Sequence, residues 1–380
     1  MRYYMKCANR LRTIKVLFVF LFGIPFLNID GYEALKVLHL SFHRGCIKEF
    51  EEVARSLPIN LTSWYIHDDP KQFDSQGVGA SIYNIGHERA ERIWHKHKEY
   101  FNQFDLIITS DTAPLSRIFL QNNWQKPLII WVCNRFDYSD RASLDCNFPD
   151  QEFYVLFQKA AYMPKVKTIS YTPYELAYAK AKGVSWEDFT IKPVGSHEQE
   201  LKPEESSIHA HIQQEETIFV HPRLEAWGSQ PGRQFTHLQH ECEKRSITVY
   251  MGNYNGPDDI KNFKGVIFFP YAWSNLALFE NIQRGIIHFV PTVRFVKELI
   301  AAHKPVTYDP QIIAGNSKLC EWYTPEHKDI VIYFDSWDDL KEKIMTTDYH
   351  RMRGKIKEFG KQHREKMLLM WQETLEHLLT

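Results

Sequence analysis

Short apolar segments alternate with stretches of helical period along most of the chain, and this alternation limits the fold more than any other feature. Lys36–Ser41 (KVLHLS), Leu61–Ile66, Asp105–Thr109 (DLIIT), Pro127–Cys133 (PLIIWVC) and Thr168–Ser170 read as strands. Pro127–Cys133 is apolar throughout, the pattern of a strand buried on both faces. Between these segments, Cys46, Phe50, Val53, Ala54 and Leu57 recur at helical spacing before Pro58. Ile85, Ile93, Trp94, His97, Tyr100 and Phe101 mark one face of a second helix. Ala113–Leu120 and Gln151–Tyr162 follow as helices, and Pro173–Lys182 is a helix closed by Gly183. Asp68–Gly79 is polar and reads as a loop.

Ile191–Gly195 ends the first run, and the polar stretch from Glu198 to Glu216 reads as a linker or surface excursion. A second run begins at Thr217–His221. It continues through a helix at Phe235–Lys244, strands at Ile247–Met251 and Val266–Phe269, and a helix at Asn275–Arg284. Strands at Ile287–Val290 and Ile330–Phe334 and a helix at Trp337–Met345 complete it. From about Asp348 to Leu379 apolar residues follow one face of a long amphipathic helix. Strands alternating with helices imply parallel βαβ units. The expected fold is α/β, with two Rossmann-like parallel-sheet domains facing a central cleft and a long C-terminal helix. The expected boundaries are 35–197, 217–347 and 348–380.

The first thirty residues stand apart. Arg2, Lys6, Arg10, Arg12 and Lys15 precede an apolar run from Val16 to Leu27, and no acid occurs before Asp30. That order is the order of a signal peptide or signal-anchor. The run is shorter than the ~20 residues that cross a bilayer, and Gly23 and Pro25 weaken it as a helix. Cleaved signal, short anchor, peripheral membrane contact and a first buried strand all remain open. The leaning is towards membrane association or the secretory pathway, with a cytoplasmic face still open.

Composition removes several classes. Lys+Arg 46 against Asp+Glu 47 gives no basic excess for nucleic acid. The six cysteines, Cys7, Cys46, Cys133, Cys146, Cys242 and Cys320, form no CxxC pair, which disfavours a zinc ribbon or a disulfide scaffold. Neither a P-loop nor a Gly-x-Gly-x-x-Gly fingerprint occurs, and Gly-x-Ser-x-Gly is missing. No Asp-x-Asp occurs, and the expectation is no required metal and no cofactor beyond a nucleotide-sugar co-substrate.

Open parallel sheets bind ligands beyond the carboxyl ends of their strands. Two such sheets would supply loops to one cleft, which suits a donor on one side and an acceptor on the other. Phe268–Thr292 (FFPYAWSNLALFENIQRGIIHFVPT) offers what a nucleotide diphosphate needs. Ser274 is placed to cap a helix whose first N–H groups would face a phosphate. Glu280 lies on that helix, where its carboxylate could accept from ribose hydroxyls, and Gly285 closes it.

At this segment the chain resembles the nucleotide-sugar glycosyltransferases of the GT-B fold. There a strand ends in Pro, a short helix carries a Glu five residues before a Gly, and the next strand ends in Pro. Pro270, Glu280, Gly285 and Pro291 stand in that order. The resemblance implies that Glu280 binds the donor ribose and that Tyr271, Ser274 and Asn275 lie near the diphosphate. Phe219–Glu225 (FVHPRLE) is similar to the first donor-domain strand, which implies a diphosphate contact for Arg223. Tyr171–Gly183 and Lys192–Gly195 resemble the helix before the interdomain connection and the crossing itself.

The chain also departs from the pattern. The first of two glutamates eight positions apart would fall at Ala272, the glycine-rich loop after the first strand is reduced to Gly45, and no Lys accompanies Arg223. His43 sits where inverting members that use a histidine base often place it. Asp111 is the expected orienting carboxylate. Asn134, Arg135 and Asp137 follow the fourth strand and are expected on the acceptor side.

The function this implies is metal-independent transfer of a hexose-type sugar from a nucleotide-diphosphate-sugar to a glycan, lipid or protein hydroxyl. The alternatives are a two-domain ligand-binding protein of periplasmic type and a glycosyltransferase-shaped protein without activity.

Overall fold

The computed structural model describes residues 34–76, 85–134, 136–137, 150–196, 212–220, 238–273, 275–304, 315 and 317–379. The N-terminal targeting stretch, Arg135, Arg223 and Ser274 lie outside them. No described helix is long and apolar enough to cross a membrane.

Leu35–Thr380 gathers into one compact unit built on two sheets. The first sheet contains β1 (Leu35–Ser41), β2 (Ile59–Tyr65), β3 (Leu106–Asp111), β4 (Leu128–Val132) and β5 (Val166–Ser170), in the order β2-β1-β3-β4-β5. The second contains β6 (Ile218–Val220), β7 (Val249–Met251), β8 (Gly265–Ile267), β9 (His288–Pro291) and β10 (Val331–Phe334), in the order β10-β9-β8-β6-β7. Every pairing is parallel. The two orders are the same doubly wound pattern, as expected from the alternating sequence. Each sheet has a switch point where the chain reverses direction, between β1 and β3 in the first and between β6 and β8 in the second. Ligand crevices open at such points.

The helices of the first half are α1 (Arg44–Ser56), α2 (Pro70–Phe73), α3 (His87–Phe101), α4 (Arg117–Leu120), α5 (Gln151–Ala160) and α6 (Pro173–Lys180). The second half carries α7 (Leu238–Glu243), α8 (Pro257–Ile260), α9 (Leu276–Arg284), α10 (Val293–Ala301), α11 (Trp337–Thr346) and α12 (Tyr349–Leu379). Side chains alternate across the first sheet, as strand geometry requires. Leu38, Leu40, Ile107, Leu128, Ile130 and Val132 enter the core on one face. Val37, Leu106, Ile108, Ile129 and Trp131 enter the core on the other.

The second of these faces is covered by the far end of α12, a helix of 31 residues. Met367, Trp371, Leu375 and Leu378 pack there. Trp371 meets Phe50 at 5.1 Å and Trp131 at 5.3 Å between ring centroids, both edge to face. The beginning of α12 serves the other half, since Ile356 belongs to the core around the second sheet. One helix thus bridges both cores.

Three local readings are corrected. The expected loop Asp68–Gly79 contains α2, because Asp69 accepts from Gln72 N and Pro70 fits the first helical turn. Asn275 caps α9 by accepting from Ala277 N at 2.9 Å, so the expected capping position moves one residue beyond Ser274. The helix α10, unforeseen, is capped by Thr292 through Phe295 N.

Candidate functional site

The carboxyl ends of β1, β3 and β4 bring together a polar group. His43 is the exposed residue preceding α1, and its Nδ1 lies 3.7 Å from Cys46 Sγ in the first turn. Asp111 ends β3 with φ 85, a left-handed conformation seldom adopted outside glycine. Its carbonyl accepts from Cys133 N at 2.9 Å and Asn134 N at 3.1 Å, and its carboxylate accepts from Asn134 Nδ2 at 3.4 Å. Burial pushes Asp111 up to about 7, the negative charge of Cys46 adds to this, and His43 and Asn134 pull it back. Cys46 moves the other way, down to about 5. Its hydrogen bond with Cys133 is the main cause, burial opposes it, and His43 and Ser110 assist. The Cys133 thiol is raised by burial and by the charge of Cys46. Ser110 Oγ also lies 2.7 Å from His39 Nε2.

The second group of candidates sits on α9, whose nine residues follow β8 and Pro270. Asn275 is 7 % exposed. While its Oδ1 caps the helix, its Nδ2 is buried without a hydrogen-bond partner. Such a donor has an unmet requirement of about 1–3 kcal/mol. Glu280 is partly buried, and burial raises its carboxyl; Arg284 and Lys48 oppose the rise, whereas Asp258 and Glu52 reinforce it. Tyr271 is half-buried beside Phe268 at 5.9 Å. Trp273 is stacked on Tyr174 at 3.9 Å with 9° between planes, so its ring is spent on packing between the halves. Gly285 closes α9 with φ 69.

These two groups meet. A Cβ at Gly45 would lie 2.4 Å from Leu276 Cδ1 and 2.8 Å from His43 Cε1. The backbone after β1 therefore passes between the His43 ring and the first residue of α9, and only glycine fits there. The single glycine left of the expected glycine-rich loop occupies this contact.

Below it, the crossing segment Lys192–Ser196 is gripped from three helices. From α1, the Glu49 carboxylate accepts from Val194 N and from Gly195 N, the latter at 3.2 Å. From α9, Gln283 Nε2 donates to Val194 O at 3.1 Å and Arg284 donates to Ser196 O. From α12, His363 Nε2 lies 2.8 Å from Pro193 O and Arg364 donates to Gly195 O. Glu49 is pushed up to about 8 by burial, with Glu280 adding to the rise and Arg364 opposing it.

Asp137 corrects the acceptor-side expectation. It is fully buried and accepts from Tyr154 and Tyr178 hydroxyls, so it ties α5 to α6 rather than lining an open surface. Among the described residues, Glu321, Glu326 and His327 have the spacing of a metal site. Lys192 inserts its ammonium there, 2.9 Å from Glu321 and also paired with Glu326, so a cation already balances those carboxylates. Sequence reasoning missed Cys46, Cys133 and Glu49. Cys46 and Glu49 were legible as residues of one helix, but nothing in the sequence pairs Cys46 with Cys133.

No family model matches the sequence, and no curated protein matches it. Solved structures do resemble the chain in fold. The calicheamicin glycosyltransferase CalG4 is 11% identical with a TM-score of 0.43, over 92% of this chain and 99% of that one. Arabidopsis thaliana UGT89C1, complexed with UDP-L-rhamnose, is 10% identical at 0.45, over 92% and 100%. The UDP-GlcNAc 2-epimerase from Neisseria meningitidis, bound to UDP-GlcNAc, is 13% identical at 0.35, over 88% and 100%. Likeness at this level assigns no role to any residue here.

Proposed function

We propose that the chain is a glycosyltransferase that moves a sugar from a nucleotide-diphosphate-sugar to an acceptor hydroxyl on a glycan, lipid or protein. The observation that carries this reading is the start of α9. A nine-residue helix presents its N-terminus, with the unpartnered Nδ2 of Asn275 beside it, next to the loop that bears His43. Helix N–H groups favour a diphosphate there. They also stabilise the charge that builds on it as the glycosidic bond breaks.

In this reading Glu280 accepts from ribose hydroxyls one turn and more along α9, and Tyr271 and Ser274 flank the diphosphate. Arg223, in the segment after β6, adds positive charge at the second switch point. The acceptor oxygen attacks the anomeric carbon and its proton passes to His43. The bond to the leaving phosphate oxygen breaks, and the nucleotide diphosphate departs with that electron pair. The Nε2 of His43 is the nitrogen suited to take the proton, since Nδ1 faces Cys46. Asp111 helps to orient the histidine through the polar group it shares. No metal is required, because the helix and Arg223 carry the phosphate charge. The N-terminal basic and apolar stretch would hold the enzyme near a membrane acceptor.

Thermal-shift screening tests this reading with UDP, GDP, ADP, free sugars and amino acids. Stabilisation of about 2.7 kcal/mol at a hundredfold excess over Kd is expected from one of the nucleotides. A response confined to free sugars or amino acids would overturn it in favour of a ligand-capturing protein.

A further inference from the structure

The polar group beneath His43 contains two thiols for which sugar transfer has no use. Cys46 and Cys133 are both unpaired, and their side chains are hydrogen-bonded to each other. They come from different βα connections, Cys46 from the first turn of α1 and Cys133 from the residue after β4. Cys133 is half-buried and Cys46 is buried, with the exposed His43 ring at the rim. We propose that Cys46 and Cys133 form an oxidative modification site, a thiol pair that a peroxide converts to a disulfide.

The local chemistry divides the roles. The first turn of a 13-residue helix and the nearby His43 favour a thiolate at Cys46. The Cys133 thiol stays protonated and donates to it. A thiolate held against a second thiol is the arrangement of an attacking and a resolving cysteine. The Cys46 sulfur attacks one peroxide oxygen, the O–O bond breaks, and one water leaves after taking up a proton, giving a sulfenic acid. The Cys133 sulfur then attacks the Cys46 sulfur. The S–O bond breaks, and the hydroxide leaves as a second water with the Cys133 proton. Two thiols and one peroxide become one disulfide and two waters. Closing the S–S bond shortens the separation by something on the order of 2 Å, which draws Cys46 off the His43 ring. Oxidation would thus alter the group proposed as the base.

Peptide mapping of the full chain decides the matter, with hydrogen peroxide as oxidant, followed by non-reducing digestion and mass spectrometry. The expected product is a Cys46–Cys133 cross-linked peptide, two hydrogens lighter than the paired thiols and removed by dithiothreitol. Cys133→Ser should abolish it and leave Cys46 as a sulfenic acid trapped by dimedone. The cross-link should fall to background when oxidation is carried out in guanidinium, because the fold poises the pair. Should Cys133→Ser not fold, mapping of the wild-type chain alone decides. Cys46 recovered as a free thiol, or joined mainly to Cys146 or Cys7, overturns the proposal. This readout needs no transferase activity, so its failure is distinct from failure of the function proposed above.

Discussion

Replacing Gly195 by alanine tests how closely the crossing segment is held against α9. Gly195 has φ 72, and an added Cβ would lie 2.6 Å from Phe279 O and 2.9 Å from Gln283 Cγ. Ordinary contact begins at 3.4 Å, so the backbone must open by 3.4 − 2.6, about 0.8 Å. Neither side yields easily, since Glu49 and Arg364 fix Gly195 and Gln283 is bonded to both Val194 and Gly360. The left-handed backbone costs an alanine about 1–2 kcal/mol, and overpacking adds about 1–3 kcal/mol. Gly183 is the internal control, because it has φ 79 but nothing within 4 Å of the added atom. Gly195→Ala should lose about 2–5 kcal/mol in urea denaturation, and Gly183→Ala about 1–2 kcal/mol. Gly195→Ala should also weaken nucleotide binding by displacing α9, with Gly183→Ala leaving it alone. Equal losses in the two variants would refute the close approach.

Trp371→Ala should cost about 3–5 kcal/mol in the same assay by removing a fully buried ring from the face it shares with Phe50 and Trp131; a loss below 1 kcal/mol would mean that α12 is not docked there. Stability should fall as pH rises from 6.5 to 8. In that window Glu49 and Glu175, raised to about 8, and Asp111 and Glu321, raised to about 7, keep protons in the folded state that the unfolded chain has released. The buried histidines His39, His327 and His363 have lowered pKa values, so they act in the opposite sense only below pH 6.5. Glu49→Gln should flatten the slope by up to about 1.4 kcal/mol per pH unit, and an unchanged slope would contradict the assignment. His43→Ala should lower transfer by about 100-fold or more while sparing nucleotide affinity, as loss of a general base would; parallel loss of both would place His43 in donor binding instead.

The sequence was most legible where one physical cause dominated. PLIIWVC announces a strand covered on both faces, and Leu128–Val132 is buried throughout. The apolar face of the last helix named Ile356, Met367, Trp371, Leu375 and Leu378 before any coordinates. Neighbouring signals were harder to separate. Ser274 and Asn275 are both good capping residues, and only the backbone angles select Asn275. Pro291-Thr292 looked like the end of a strand, although Thr292 is also the cap of α10 and Phe295, Val296 and Leu299 follow at helical spacing. What required the fold was contact between distant residues. The left-handed Asp111, the thiol pair Cys46–Cys133, the Glu49 clamp and the Tyr174–Trp273 stack have no local signature. Each depends on which strands end side by side, and that is fixed by sheet order.

The most direct test of the central claim is calorimetry of nucleoside diphosphate binding to the wild-type chain and to Glu280→Ala. Loss of charge-assisted hydrogen bonds to the ribose, worth about 1.5–3 kcal/mol, predicts affinity about ten- to hundredfold weaker in the variant, with the unfolding midpoint unchanged. Equal affinity in the two proteins would contradict the account and remove α9 from the donor site.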